Sequence, residues 1–182
     1  MFAELDRVLE PAALAARDWQ LTAEDSLTGW PRLAALDSEA AADGAPGRPA
    51  RERTVRIQAA CRRDDTGALV LEAELGAVIR AVCQRCLESM ELKLRASPRL
   101  AFGAEREGEG AGGFEFCEME AGTTLRKLFE DELLLAVPPF PTHERSEDCG
   151  ALAAKLAEFK PAEGGQKSSS PFAVLAELKR KD

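Results

Sequence analysis

The sequence predicts an α+β fold, in which an antiparallel β-sheet meander is covered by a long helix and a short C-terminal helix. Polar and apolar residues alternate through most of residues 54–102, which is typical of strands that bury one face. Residues 122–137 and 171–182 instead place apolar residues at helical spacing. Because the apolar face of a sheet needs a covering layer, we expect these helices to pack on it.

Three stretches rich in small, polar, glycine or proline residues divide the chain of 182 residues. These predicted linkers are residues 37–50, 103–113 and 161–170. We expect the other pieces to be an N-terminal helical segment at 1–36, an α+β core domain at 51–160 that carries a Cys-x-x-Cys hairpin, and a C-terminal amphipathic helix at 171–182.

The predicted sheet is made of alternating segments that follow one another closely. They are TVRIQAAC (54–61), ALVLEAEL (68–75), AVIRAVC (77–83) and ELKLRASPRLAF (91–102). In each of them one face is apolar and the other is polar, and arginines are frequent on the polar face. The stretch CQRCLESM (83–90) is therefore expected to be the turn that joins the last two strands.

The predicted long helix is capped by Thr123 or Thr124 and ends before Pro138. Its apolar stripe consists of Leu125, Leu128, Phe129, Leu133 and Ala136. Glu132 falls within this stripe, so its carboxylate either reaches solvent at the edge or pairs with a cation or with the ring nitrogen of a ligand. Ser170 and Pro171 form the start signal of the C-terminal helix.

The cysteines raise the question of metal binding. Cys83 and Cys86 have the spacing of a zinc knuckle, and the single histidine, His143, together with Cys149 would complete a Cys3His zinc site. The alternatives are a redox pair, with Arg85 stabilising a thiolate, and reduced cysteines that are simply buried. The odd number of five cysteines disfavours a disulfide framework.

The charge pattern points to two different partners. The net charge is −8, and residues 103–165 contain 14 acidic and 6 basic residues, whereas residues 51–100 contain 7 acidic and 10 basic residues. An acidic surface suits a basic protein partner and a basic surface suits RNA, although both can also be ordinary solvated surfaces. The candidate RNA-binding residues are Arg56, Arg80, Arg85, Lys93 and Arg95.

Signatures of enzymes, membranes and secretion are missing from the sequence. It contains no phosphate-binding glycine loop, no HExxH motif and no pattern typical of a catalytic triad, so we expect no catalytic residues and no small-molecule substrate. The acidic N-terminal stretch with Pro11 differs from a secretory signal, and no apolar run approaches the roughly 18 residues of a membrane helix. We therefore expect a cytoplasmic protein without a membrane partner.

Three motifs resemble the YceD family of large ribosomal RNA subunit accumulation proteins. They are CQRCLE (83–88), DELLLAVPPFPTH (131–143) with the following Cys149, and PFAVLAELK (171–179). The resemblance implies a non-enzymatic factor that supports large-subunit ribosomal RNA accumulation, in processing or assembly, and it supplies no catalytic residues. The partners that we then expect are large-subunit ribosomal RNA or its precursor, a basic ribosomal protein, or both. This chain departs from the family in its long glycine-rich 103–113 stretch and its alanine-rich N-terminal piece.

Two other function classes stay open at this point. The first is a thiol oxidoreductase or metal-dependent enzyme that uses Cys83 and Cys86; a redox motif would place the first cysteine at a helix N-terminus, whereas here a strand-like segment follows. The second is a protein-interaction module in which zinc is only a structural staple.

Overall fold

The structure is a computed structural model that describes residues 4–37, 53–65, 67–102, 115–116 and 120–158. The chain divides into two compact units, residues 1–144 and residues 145–182. The predicted linkers 103–113 and 161–170, most of the linker 37–50 and the C-terminal helix 171–182 lie outside the described residues. The predicted domain boundaries therefore stay predictions.

Within its described residues, the first unit contains six strands, three α-helices and a 3-10 helix over Leu27–Gly29. The strands are β1 (Trp19–Ser26), β2 (Thr54–Arg63), β3 (Leu69–Val82), β4 (Ser89–Ala96), β5 (Arg99–Phe102) and β6 (Glu115–Phe116). The helices are α1 (Pro11–Ala15), α2 (Pro31–Leu36) and α3 (Leu125–Leu135).

The strands form one sheet in which β3 is the central element. It pairs with β2 along one edge and with β4 and then β5 along the other, while β1 pairs with β2 and β6 with β5. All of these pairings are antiparallel except the one between β5 and β6. Together with the helices, this sheet confirms the predicted α+β class.

The strand boundaries differ from the prediction at two places. Residues 69–82 form one continuous strand, because Gly76 keeps its place in the ladder instead of breaking it. Residues 91–102 are split between β4 and β5 at Ser97 and Pro98, since proline has no backbone N–H to donate to a ladder. The carbonyl of Pro98 instead accepts a hydrogen bond from Ala73 N at 3.1 Å.

The expectation of a purely helical N-terminal piece is wrong, because this piece contributes β1 to the sheet. All eight residues of β1 pair with β2, from Trp19 opposite Cys61 to Ser26 opposite Thr54. Trp19, Leu21 and Ala23 are buried and the residues between them are exposed, which is the alternation of an edge strand with one covered face. Residues 1–36 are thus partly a structural extension of the meander.

The core lies between the apolar face of the sheet and the helices. Its largest fully buried side chains are Trp30, Phe129, Leu5, Leu27, Leu33, Ile57, Leu71, Ile79 and Leu133. Helix α3 covers the sheet with the predicted stripe, and Thr124 Oγ1 accepts a hydrogen bond from Lys127 N at 3.2 Å as its N-cap. Ala136, the last predicted member of the stripe, follows the end of the helix and is half-buried.

Helix α3 also supplies a buried carboxylate that caps α2. The N-cap residue of α2, Trp30, makes no side-chain cap. Instead Glu130 Oε1 accepts hydrogen bonds from the backbone N–H groups of Arg32 at 2.8 Å and Leu33 at 3.0 Å. Glu130 thereby satisfies two donors that the first turn of any helix leaves open.

The second unit begins with a short 3-10 helix over Ser146–Asp148 and continues into helix α4 (Gly150–Glu158). Cys149 lies between them and is buried. Among the described residues, no helix of the chain is long and apolar enough to cross a membrane.

Candidate metal centre and basic sheet face

The first candidate site is the turn of residues 83–88 between β3 and β4, here called the metal turn. Cys83 N donates to Glu88 O at 2.9 Å, and Leu87 N donates back to Cys83 O at 2.8 Å. These two bonds close the turn, and Leu87 adopts a left-handed conformation with φ of 62°. The predicted placement of the two cysteines in a turn between strands is confirmed.

The proline-rich segment that follows α3 lies against the metal turn. Gln84 N donates a hydrogen bond to Pro141 O at 2.8 Å, and two residues further on His143 Nδ1 lies 3.5 Å from Cys86 Sγ. Prolines favour extended backbone and disfavour helix, so this segment can run along the turn. The contact brings together side chains that are 57 residues apart in sequence.

The first unit brings three of the four predicted metal ligands together. The ligand atoms of Cys83, Cys86 and His143 all lie within 4.8 Å of one another, while Cys149, the fourth predicted ligand, belongs to the second unit. Bond lengths of about 2.0–2.3 Å around tetrahedral zinc place the ligand atoms roughly 3.3–3.8 Å apart. Only small side-chain shifts are therefore needed for these three side chains of the first unit to bind one ion.

The Cys83 thiol lies in surroundings that favour its ionised form. Burial raises its pKa. Hydrogen bonds from the backbone N–H groups of His143, Cys86 and Arg85, and one from the Cys86 side chain, have the larger effect and lower the pKa to about 6. The bond from Arg85 N to Cys83 Sγ measures 3.4 Å. Because a thiolate is the form that binds metals, these hydrogen bonds favour the state of Cys83 that a metal requires.

The geometry gives little support to a redox pair. Cys83 is fully buried and is followed by a turn and β4, whereas a reactive thiol is partly exposed and in redox motifs lies at a helix N-terminus.

Cys61 lies apart from the candidate metal ligands. Burial raises the pKa of its thiol, and its Sγ donates to Pro11 O at 3.7 Å. Cys61 is therefore a core residue, and Cys117 lies outside the described residues.

Glu132 is half-buried on α3. Its pKa is raised by burial and then by the nearby carboxylates of Glu115 and Asp131. Its role as the partner of a metal ligand stays a prediction. The helical pattern did not single out Glu130 as a buried carboxylate. Its hydrogen-bond partners, Arg32 and Leu33, lie almost one hundred residues earlier in the chain.

The second candidate site is on the outer face of the sheet, opposite the core. In the strand register, Gly76 is flanked by Arg56 on β2 and by Arg95 on β4, and the next row places Lys93 beside Val78. All three cationic side chains are exposed. We call Arg56, Lys93 and Arg95 the cation cluster; none of them has a hydrogen bond or ion pair from its side chain to any described residue.

Gly76 leaves a recess between the two arginines. The nearest atom to a Cβ built at this position is Leu94 O at 4.0 Å, so the space above the backbone is open. Neighbouring strands are about 4.8 Å apart, which puts the Cα atoms of Arg56 and Arg95 roughly 10 Å apart across Gly76. Two guanidinium groups on such long side chains can converge on one phosphate between them.

The two other predicted RNA-binding residues lie elsewhere. Arg85 is exposed on the metal turn. Arg80 is half-buried in β3, where it is opposite Glu91, and its backbone N donates to Asp37 Oδ1 at 2.7 Å. The structure thus groups three of the five predicted cations.

Two further arginines on the same face of the sheet are already paired with a carboxylate. Arg62 and Arg99 both contact the carboxylate of Glu72, at 3.0 Å and 3.2 Å. A groove of about 440 Å³ lies on this face, and its polar lining includes Gln20, Thr22, Gln58, Glu72, Glu74, Ser97 and Arg99. The residues that line this groove lie in the rows of the sheet adjacent to the row of Arg56, Gly76 and Arg95.

Comparison with known proteins supplies a family. The family model described as "Large ribosomal RNA subunit accumulation protein YceD" matches residues 71–179, more than half of the chain. The matched range includes β4, the metal turn, α3 and all four candidate metal ligands. No solved structure matches the chain.

Proposed function

The chain belongs to the YceD family of large ribosomal RNA subunit accumulation proteins, and we propose that it is a non-enzymatic factor that binds this RNA or its precursor. The family description links the chain to the accumulation of large-subunit ribosomal RNA. We propose that the chain acts in the cytoplasm, during processing or assembly of the subunit. The core domain at 51–160 would contain both candidate sites.

The observation that carries the RNA proposal is the cation cluster. A surface arginine in a protein of net charge −8 has many carboxylates available, yet the side chains of Arg56, Lys93 and Arg95 engage none within the described part of the chain. Exposed cations on both sides of a glycine form a suitable site for backbone phosphates, whose contacts supply a large share of the affinity in nucleic-acid binding. We assign these three residues to phosphate contacts.

The test compares two double variants that remove the same charge from the same face of the sheet. Arg56→Ala/Arg95→Ala removes two unpaired cations, and the control Arg62→Ala/Arg99→Ala removes two that are paired with Glu72. Binding to a large-subunit ribosomal RNA fragment is measured by fluorescence anisotropy over a range of salt concentrations. The first variant should lower the slope of log affinity against log salt by about 2, since each lost phosphate contact removes about 1.

The control should keep the slope of the unmodified protein and bind nearly as tightly. Equal effects of the two double variants would mean that net charge alone governs binding. An unchanged slope in Arg56→Ala/Arg95→Ala would remove the phosphate role of the cluster.

We further propose that Cys83, Cys86, His143 and Cys149 hold a structural zinc ion. Three thiolates and an imidazole are typical ligands of structural zinc, and four protein ligands leave no open position for a water or substrate. Metal analysis of the purified protein should find stoichiometric zinc, and Cys86→Ser should lose it. Turnover of a disulfide substrate that is lost in Cys83→Ser would instead favour the oxidoreductase alternative.

A further inference from the structure

The groove on the outer face of the sheet is lined by polar side chains that have no partner in the described part of the chain. It has a volume of about 440 Å³ and lies beside the row that contains Gly76. Gln20, Thr22 and Gln58 are exposed in it, and none of their side chains hydrogen-bonds to a described residue. Amide groups and hydroxyls both donate and accept hydrogen bonds, so this set can bind a polar ligand.

The floor of the groove is partly apolar. Ala60 on β2 is half-buried and lies between Gln20 on β1 and Glu72 on β3 in the strand register. Its methyl group leaves room between two longer side chains, and Pro98 lines the groove at the break between β4 and β5. A flat ring can lie on such a floor while its polar edge contacts the surrounding side chains.

One carboxylate in the groove is available to accept hydrogen bonds. Glu74 is exposed, and its Oε2 accepts a hydrogen bond from Ser97 Oγ at 2.8 Å. Because each carboxylate oxygen has two acceptor positions, both oxygens of Glu74 can accept a further donor. The other carboxylate, Glu72, is already engaged on both oxygens by two arginines. Gln58 is directly opposite Glu74, so an acceptor and an amide lie side by side.

The charges on this face of the sheet are compatible with RNA. Among the described residues in the rows from Val78 to Val70, cations outnumber carboxylates. They are Arg56, Arg62, Lys93, Arg95 and Arg99 against Glu24, Glu72 and Glu74. Glu24 accepts a hydrogen bond from Thr54 Oγ1, and no carboxylate of this set forms an ion pair with the cation cluster. The cluster can therefore bind a phosphate, while the carboxylate of Glu74 suits the N–H donors of a base.

The spacing along β3 suits a single nucleotide. Glu74 and Gly76 are two residues apart on the same face of the strand, which is roughly 7 Å. This length is similar to the reach from the phosphate of a nucleotide to its own base. A phosphate held above Gly76 by Arg56 and Arg95 therefore allows its base to enter the groove at Glu74.

We propose that the groove binds an unpaired guanine of the RNA whose phosphate lies at the cation cluster. Glu74 accepts hydrogen bonds from guanine N1–H and the N2 amino group, and the amide of Gln58 donates to O6. Guanine fits because, of the four bases, only its Watson–Crick edge presents two adjacent donors to one carboxylate. The inference rests on the proposed function, which supplies the RNA, and it adds a base preference that phosphate contacts alone do not provide.

The experiment measures binding of the full chain to three fluorescein-labelled RNA oligonucleotides of about nine nucleotides, a length within the range of single-strand binding sites. Each is oligouridine with one central guanine, inosine or adenine. Inosine lacks the N2 amino group of guanine, and adenine also lacks the N1 proton. Fluorescence anisotropy at low salt compares the unmodified protein with Glu74→Gln. The matched control is Glu24→Gln, which removes the same charge from the same face but lies outside the groove.

The unmodified protein and Glu24→Gln should bind the guanine oligonucleotide at least about fivefold more tightly than the adenine one, as expected for a two-bond contact to a base edge. The inosine oligonucleotide should lie between them. Glu74→Gln should bind all three equally, because its amide offers one acceptor in place of two. Equal binding of the three by the unmodified protein, a preference kept in Glu74→Gln, or a preference lost in Glu24→Gln would overturn the proposal.

The same measurements separate this inference from the proposed function. If all three oligonucleotides bind equally and their affinity falls with salt, the guanine site is wrong and the proposed RNA binding stands. The same conclusion follows if the ribosomal RNA fragment binds and no oligonucleotide does. If neither the fragment nor the oligonucleotides bind at low salt, the proposed function is wrong, and the guanine site is wrong with it.

Discussion

The buried carboxylate of Glu130 offers the sharpest test of how the helices are held on the sheet. Its side chain is only 4% exposed, and it accepts three hydrogen bonds, from Arg32 N, Leu33 N and Arg32 Nε. In Glu130→Gln the shape is kept, but the charge is lost and an amide N–H₂ group faces the guanidinium of Arg32. We therefore expect a loss of stability without a change of fold.

The magnitude follows from these contacts. A hydrogen bond to a charged group contributes about 1.5–3 kcal/mol and one between neutral groups about 0.5–1.5 kcal/mol, so making two backbone bonds neutral costs about 2 kcal/mol. The pair with Arg32 adds at most about 0.5 kcal/mol, because the arginine side chain is 45% exposed and solvent weakens the pair. The predicted loss is about 2–3 kcal/mol in the free energy of unfolding.

The measurement is urea denaturation followed by circular dichroism, with Asp131→Asn as the control. Asp131 contacts the same arginine, but its side chain is 43% exposed and caps no described helix, so this change should cost less than about 0.5 kcal/mol. The reasoning is refuted if Glu130→Gln also costs less than about 0.5 kcal/mol. Equal losses in both variants would show that the ion pair with Arg32 is what matters, and not the cap on α2.

Three further predictions concern the candidate sites. Gly76→Glu should fold normally, because the space above Gly76 is open. It should weaken binding to the RNA fragment in anisotropy assays, because it places a carboxylate between Arg56 and Arg95. An unchanged affinity for the RNA fragment would contradict the phosphate site. Leu87→Gly should leave the free energy of unfolding in urea unchanged or raise it by up to about 1 kcal/mol. Relief of about 1–2 kcal/mol of backbone strain exceeds the entropic cost of glycine, which is roughly 0.5–1 kcal/mol. A clear loss of stability would mean that the leucine side chain packs inside the protein. Because the pKa of Cys83 is lowered from 9.0 to about 6, the metal-free protein should gain stability as pH rises from about 6 towards 9, where the unfolded thiol still binds a proton. Urea denaturation at several pH values measures this gain, and a stability that does not rise over this range would contradict the lowered pKa.

The sequence predicted the parts of the fold that depend on local patterns. Alternation in residues 54–61 was enough to find β2, and the Cys-x-x-Cys spacing was enough to place Cys83 and Cys86 in a turn between strands. The start of α3 was found because Thr124 is both a good cap residue and adjacent to an apolar stripe. In each case the signal is contained in fewer than about twenty consecutive residues.

What the sequence could not supply depends on contacts between distant segments. The alternation of β1 rests on only three buried positions, one of them Ala23, and only the pairing with β2 makes it a strand. The helical pattern placed Glu132 within the apolar stripe of α3, which suggested that Glu132, and not Glu130, is the buried carboxylate of this helix. Glu130 is more deeply buried because the N-terminus of α2 lies against it, which no pattern inside α3 can reveal. The grouping of Arg56 with Arg95 likewise depends on the register that brings both beside Gly76.

The hairpin of β3 and β4 links the two candidate sites. It carries Arg95 and Lys93 near its open end and the metal turn at its closed end. From Val82 to Gly76 is six residues along the strand, or roughly 20 Å, so a metal in the turn cannot touch a phosphate at the cation cluster. The metal can act there only through register, because a slip of one residue in β4 would turn Arg95 to the core face. Pairing with β2 fixes the position of β3 independently of the metal. Removal of the metal in Cys86→Ser should therefore weaken RNA binding less than Arg56→Ala/Arg95→Ala does. If Cys86→Ser weakens RNA binding as much or more, the metal turn itself contacts the RNA.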